Sequence, residues 1–426
     1  MEALLHKITI LFRDQALRKR ILFVLGALAI FRVLATIPVP GVDLAQLEAF
    51  LTGNQFFGLL NVFSGGGLSN LSIVMLGVGP FITASIIMQL LTIVFPKIKE
   101  MYQEDGEAGR MRFMMYSRLL TVPLALVQSF SFLILLQRQG IIGNLSTVGI
   151  LTNVIVITAG SILVMWIGEL MTEFGVGNGV SVIIFAGIVA SLPSAISQLI
   201  FTYDPSQIPT YLAFLIVAFV IIFGVVLINE AERPIPVTYA KRVRGQKVYG
   251  GGSTYLPLRI NQAGVMPIIF ALSLLLFPQL IVNFLSSSGI GGLGFQNFLA
   301  NFSQNVLNNL WVYGIMYFVL VFLFTYFYTA VTFDPEQISK NLQRSGAFVP
   351  GVRPGASTSE YIGKILTRVT MVGAIFLGFI AVLPIIMQGL TGVSSLAIGG
   401  TGLLIVVAVV IDMVKRIDAQ TTAREY

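Results

Sequence analysis

Side chains able to do chemistry are scarce in this chain. Its 426 residues include no Cys and a single His, His6. A zinc centre draws its ligands from thiolates, imidazoles and carboxylates in combination. A Cys- or His-based metal site is therefore excluded, and so is a disulfide framework. A Ser–His nucleophile pair has no imidazole to use beyond the N-terminal tail. Carboxylates inside a membrane mark ion and proton pathways. Here Glu169, Glu173, Glu230 and Asp412 fall at the ends of apolar segments, not at their centres. That speaks against a proton- or sodium-coupled carrier, although a site built on backbone carbonyls stays open. The glycine runs at Gly175–Gly179 and Gly250–Gly252 match nucleotide loops only in composition. The first follows a helical segment instead of a strand, and the second lacks the phosphate-binding Lys, so both read as turns. No catalytic residue, metal ligand or cofactor is expected.

What remains is neutral, apolar or basic. Thr83, Ser85, Gln89, Gln128, Ser129, Ser131 and Ser161 lie within apolar segments. Neutral polar contacts between membrane helices contribute about 0.6–2 kcal/mol each, which suits either permanent helix contacts or a seam meant to open. Val78 and Ile82 stand one helical turn apart, as do Val180 and Ile184, with Ile269 just after Pro267 and Ile405 further on. Such residues commonly make core or lipid faces; a narrow ring of them would exclude water and ions. Two basic segments, 230–262 and 332–364, read as long loops with Gly, Pro and aromatics. Membrane topology alone accounts for their charge, and so would docking of an acidic protein surface or RNA phosphates.

The elements that must position these residues follow from hydropathy. The chain is 56% hydrophobic and 11% charged, the composition of a helical integral membrane protein. Phe56–Phe95 is almost uncharged and too long for one span of about 20 residues. It reads as a half-helix (Phe56–Phe63), a break at Ser64-Gly65-Gly66-Gly67, and a spanning helix over Leu71–Phe95 kinked near Gly77, Gly79 and Pro80. The half-helix cannot cross, so it is a structural hairpin or an element plugging a cavity. Apolar runs predict ten spans: 21–39, 71–95, 113–136, 148–171, 180–201, 209–229, 263–285, 309–331, 365–387 and 396–414. The tail, the alternate connections and the C-terminal end on one side hold 24 Lys and Arg; the opposite side holds one, Arg138. The positive-inside rule then puts both termini in the cytoplasm. Ten spans divide into halves 1–205 and 206–426 of opposite orientation, the topology of an inverted repeat.

With these pieces in place, the chain resembles the SecY family of protein-conducting translocon subunits. The resemblance is carried by Ile37–Gly41, Asn61–Gly66, Gly79–Ile86, Gly177–Ser181, Glu232–Pro236, Tyr239–Arg242, Ser253–Leu258, Asn261–Val265, Gly346–Gly355 and Gly399–Thr401. It implies ten transmembrane helices in two inverted five-helix halves around a central pore, an all-α membrane fold. It implies a plug over about 57–70, with Phe57, Leu60, Phe63, Gly65 and Gly66. It makes Val78, Ile82, Val180, Ile184, Ile269 and Ile405 a pore ring. It implies a lateral gate with Thr83 near Phe277 and with Gln89 and Gln128 contributing. Arg242, Arg244, Lys247 and Arg353 become docking residues for the motor ATPase SecA or the ribosome. Further implied partners are the small subunits SecE and SecG, signal sequences, nascent polypeptides and membrane lipids. The implied site is the bacterial cytoplasmic membrane, multi-pass. A secondary transporter for a small solute is the second reading and lacks a midplane acid; a membrane-embedded enzyme is the third and lacks a catalytic constellation.

Overall fold

The computed structural model describes residues 14–40, 61, 64–103, 105–138, 140, 142–143, 145–201, 208–239, 242–244, 247–249, 252–275, 294, 301, 309–391 and 394–425. The helices among them are α1 (Gln15–Leu34), α2 (Gly79–Val94), α3 (Pro96–Gln103), α4 (Gly106–Arg138), α5 (Thr147–Phe174), α6 (Gly179–Phe201) and α7 (Ile208–Glu230). They continue with the short α8 (Met266–Leu275), then α9 (Leu310–Thr332), α10 (Pro335–Arg344), α11 (Ala356–Thr391) and α12 (Ser394–Glu425). Five helical stretches among the described residues are long and apolar enough to cross a membrane, or six if α2 and α3 count as one bent span. The division between halves at 205/206 falls outside the described residues.

Local chemistry sets the helix starts. Asp14 accepts from Ala16 N–H, Ser146 from Gly149 N–H, Asn178 from Val180 and Ser181 N–H, and Asn309 from Trp311 N–H. Each side chain satisfies a donor that the first helical turn leaves free. Asp334 does the same for α10, whose first residue is Pro335.

Two expectations are corrected. Leu71–Phe95 is not one kinked helix: residues 64–78 run as turns, and α2 starts only at Gly79. Leu71 and Gly77 have φ of 42° and 52°, incompatible with a right-handed helix. Pro80 lacks an N–H that a first turn has no use for, so it opens α2 instead of bending it. The 16 residues of α2 reach about 24 Å, short of a hydrocarbon core of about 30 Å. The chain then bends by 111° into α3. The second correction concerns 230–262 and 332–364, which are not plain loops, and the fold is not purely helical. β1 (Glu232–Tyr239) pairs antiparallel with β4 (Ser253–Arg259) and with β5 (Ala347–Phe348), giving the order β4-β1-β5. Between β1 and β4, β2 (Arg242–Arg244) pairs with β3 (Lys247–Tyr249). β5 meets β1 only at Thr238 and Tyr239, beyond Pro234 and Pro236, which cannot donate to a ladder. α10 fills part of the second segment, and α11 begins at Ala356, ahead of the expected span.

The main apolar core takes side chains from α1, α2, α5, α6, α7, α8, α9, α11 and α12, including Phe31, Ile82, Ile184, Ile269, Tyr317 and Ile405. A second cluster joins the turn segment (Leu68, Leu71, Met75) to Phe132 of α4 and Ile157 of α5. A third, with Ile235, Leu258, Val349 and Ile362, seats the sheet on α11. α9 packs along α11, α11 along α12, and α12 against both α7 and α6.

Candidate functional site

Four of the six expected ring residues, Ile82, Val180, Ile184 and Ile269, line one cavity, and all six belong to one large apolar cluster. Val78 is fully buried, and Ile82, Ile184, Ile269 and Ile405 are each no more than 5% exposed. Val180, partly buried, packs on the same cluster. Val78 caps α2 at its start and Ile82 lies one turn in; Ile184, Ile269 and Ile405 come from α6, α8 and α12. Four elements, two from each half of the sequence, therefore contribute to one apolar cluster.

The cluster borders a hollow. A cavity of about 240 Å³ has Ile82, Val180, Ile184 and Ile269 in its wall, with Ser85 and Gln89 further along α2. It shares Asn178, Ser181, Met266 and Tyr328 with a second cavity of about 240 Å³, which reaches Asn229, Asn261, Arg259, Lys415 and Arg416. Gln89 and Asn261, which line these cavities, each carry a buried acceptor oxygen with no hydrogen-bond partner among the described residues. The second mouth is ringed by paired charges: Lys415–Glu230 at 3.1 Å and Arg416–Asp412 at 2.8 Å. At the end of α5, Glu169 is paired with Arg118 at 2.6 Å. Three of the four helix-end carboxylates thus have a cation partner.

The turn segment precedes the start of α2 and is buried. Leu68, Leu71, Val74 and Met75 are at most 2% exposed. Their backbone is tied down: Val39 N–H donates to Leu71 O at 2.8 Å, Ile73 N–H to Ile37 O at 3.0 Å, and Ser161 Oγ to Gly77 O at 2.8 Å. Gly65 and Gly66 have φ of +67° and +83°, a conformation glycine adopts at no steric cost. Phe57, Leu60 and Phe63 lie outside the described residues.

The gate residues are less well joined. Thr83 Oγ1 donates to Gly79 O within its own helix. Gln128 is buried on α4 at 7% exposure, and the α4–α5 contact beside it is Ser129 to Thr158 at 3.3 Å. Phe277 lies outside the described residues, so the expected Thr83–Phe277 approach does too. A contact between the halves that sequence reasoning missed lies at Gln103. Its Nε2 donates to Val331 O at 3.4 Å, and its carbonyl accepts from Gln337 Nε2 at 3.2 Å. These bonds fasten the end of α3 to α9 and α10. Of the docking residues, Arg353 is exposed in the turn before α11, where its carbonyl accepts from Thr358 Oγ1 at 2.8 Å. Arg242 pairs with Tyr249, and Arg244 with Lys247, in the β2–β3 ladder.

The fold is a polytopic helical bundle in which one apolar cluster adjoins a cavity and a segment of buried turns. The family model of SecY matches residues 72–414. The chain is 42% identical over 419 residues to the protein translocase subunit SecY of Escherichia coli K12, covering 96% of this chain and 93% of that one. It is likewise 42% identical over 434 residues to the Mycobacterium leprae subunit, at 97% of each chain. Among solved structures, one of a protein-conducting channel superposes with a TM-score of 0.65 at 20% identity, covering 95% and 92% of the two chains. Sec61 in the canine ribosome-channel complex superposes with a TM-score of 0.60 at 18% identity, covering 95% and 92%. The chain belongs to the SecY family.

Proposed function

We propose that the protein is the pore subunit of a protein translocase, a channel that passes unfolded polypeptides across the bacterial cytoplasmic membrane and releases apolar segments sideways into lipid. One observation carries this reading: Ile82 of α2, Val180 and Ile184 of α6 and Ile269 of α8 line one cavity within the apolar cluster that Ile405 of α12 also joins. The channel performs no chemistry, so its work is to change between sealed and open states. The ring excludes water and ions at rest, and the plug over about 57–70 backs it. A signal sequence gains roughly 0.8 kcal/mol for each CH₂ group it moves from water to lipid. Bound between the halves, it favours the open state by its difference in affinity for the two states. The chain then threads the ring.

In this reading ten spans form two inverted halves, 1–205 and 206–426, and the basic segments face the cytoplasm with both termini. Thr83, Gln89, Gln128 and Phe277 belong to the lateral gate. Arg353 and the β2–β3 hairpin meet SecA or the ribosome; the name of the canine Sec61 complex supports a ribosomal partner. SecE and SecG complete the channel.

The test is a vesicle assay. Deleting residues 57–67 is expected to make vesicles leak ions while precursor transport persists. Conductance equal to that of the intact protein would remove the plug from the account.

A further inference from the structure

One contact at the end of α1 is unusual for a membrane helix. Arg32 lies in the last turn of α1, and its Nη1 donates to the Gly65 carbonyl at 3.0 Å. A cation on a membrane helix is costly unless it finds an acceptor or reaches the headgroups. Here the acceptor belongs to the glycine break within the proposed plug. Neighbouring residues close on the same spot. The Phe31 ring fills the space where a Gly65 side chain would stand, and Gly187 of α6 lies with its backbone against that of Gly65. A side chain on Gly66 would meet Arg32 Nη1 at 3.1 Å. Phe31 and Arg32 thus grip one glycine pair from α1, and α6 backs it. The grip extends up the chain, because Gly66 N–H and the Ser64 hydroxyl both donate to Asn61 O at 2.9 Å.

We propose that Arg32 is a latch: a positioning residue whose bond to the Gly65 carbonyl holds the turn segment, the later part of the proposed plug, in the closed seat. The inference rests on reading residues 57–70 as a plug. A backbone carbonyl suits a latch better than a carboxylate. Releasing it strands no buried charge, and the freed guanidinium, on an exposed residue, can turn to water or headgroups. A signal sequence has to outweigh this bond to open the channel, so losing the bond lowers what the channel demands of a signal.

The test uses the full chain with its partner subunits in proteoliposomes. Two readouts are resting ion conductance and the transport ratio of a precursor with an intact signal to one with a shortened apolar signal. Arg32→Leu is expected to raise conductance roughly tenfold, the scale of a hydrogen bond to a charged group, and to lower the ratio by a similar factor. Arg32→Lys, which keeps a charge and a donor, is expected to fall between Arg32→Leu and the parent. If Arg32 only anchors α1 to headgroups, Arg32→Leu leaves the ratio unchanged, and that result overturns the proposal. Should Arg32→Leu fail to accumulate, Phe31→Ala decides: it keeps the cation and loosens the seat, and a tight, fully discriminating Phe31→Ala channel also overturns the proposal. Deletion of 57–67 separates the two levels. A leaking deletion beside a tight Arg32→Leu refutes the latch and leaves the plug; a tight deletion refutes both.

Discussion

Ile184→Asn puts a polar group of similar size into the driest part of the molecule. Ile184 is 1% exposed and packs in the cluster with Val78, Ile82, Ile269 and Ile405. Taking a buried Ile side chain away removes about 1.5–3 kcal/mol of burial. Enclosing an amide without a partner costs about 1–3 kcal/mol more. The open state, with water in the ring, suffers neither. At the lower end the two sum to about 2.5 kcal/mol against the closed state, roughly a sixtyfold change in the closed-to-open ratio at about 1.4 kcal/mol per tenfold. Resting conductance of reconstituted vesicles reads that ratio directly. Ile184→Leu preserves volume and polarity, costs under about 1.5 kcal/mol, and is expected to stay tight. Melting in detergent checks that both variants are folded. A folded Ile184→Asn channel as tight as the parent would show that the ring is not the seal. Equal leakage from both variants would show that packing, not dryness, closes the channel.

The Gln103 bonds to α9 and α10 hold the halves together at one end. Removing one with Gln103→Ala or Gln337→Ala is expected to speed transport of weak-signal precursors about two- to tenfold, the range of a single neutral hydrogen bond; unchanged rates would make these bonds incidental. Arg353→Glu reverses an exposed charge next to α11 and is expected to cut SecA-driven transport roughly tenfold, as for a central interface charge, with the amount of folded protein unchanged; a normal rate removes Arg353 from the docking surface. Glu336 and Glu360 accept hydrogen bonds from Lys340 and Lys364, which, with the attraction of those ammonium groups, hold both carboxyls below their usual range. A depressed folded-state value means the contribution is present above the ordinary carboxylate range and fades as pH falls through the lowered value. NMR titration of the two carboxyls checks this, and an ordinary titration of Glu336 would contradict the pairing.

Hydropathy located helices well where a helix is apolar along its whole length. Runs at 148–171, 180–201, 209–229 and 309–331 match α5, α6, α7 and α9 within a few residues. The burial of Val78/Ile82 and Val180/Ile184 was legible because β-branched residues one turn apart mark one face of a segment, and both pairs enter the same cluster. Hydropathy reports burial, however, and burial does not require a helix. Leu71–Val78 is as buried as a core helix, yet Leu71 and Gly77 are left-handed. The sheet was hidden by prolines. Ile235 and Val237 are buried in alternation with Pro234 and Pro236, a period-two pattern obscured by residues that usually break strands. Asp334-Pro335 was a readable helix start inside what passed for a loop. The Gln103–Gln337 contact had no local signal, since its partners are 234 positions apart and isolated glutamines on polar segments are common.

The central claim is that a polypeptide passes through the ring. The most direct measurement stalls a secretory precursor part-way through the channel in membrane vesicles and places a photoreactive residue at Ile82, Ile184 or Ile405 in turn. Phe219 of α7, 71% exposed on the outer surface of the bundle, is the control. The account predicts adducts between the stalled chain and all three ring positions, and none from Phe219. Adducts from Phe219 with none from the ring would place the path outside the bundle core and contradict the account.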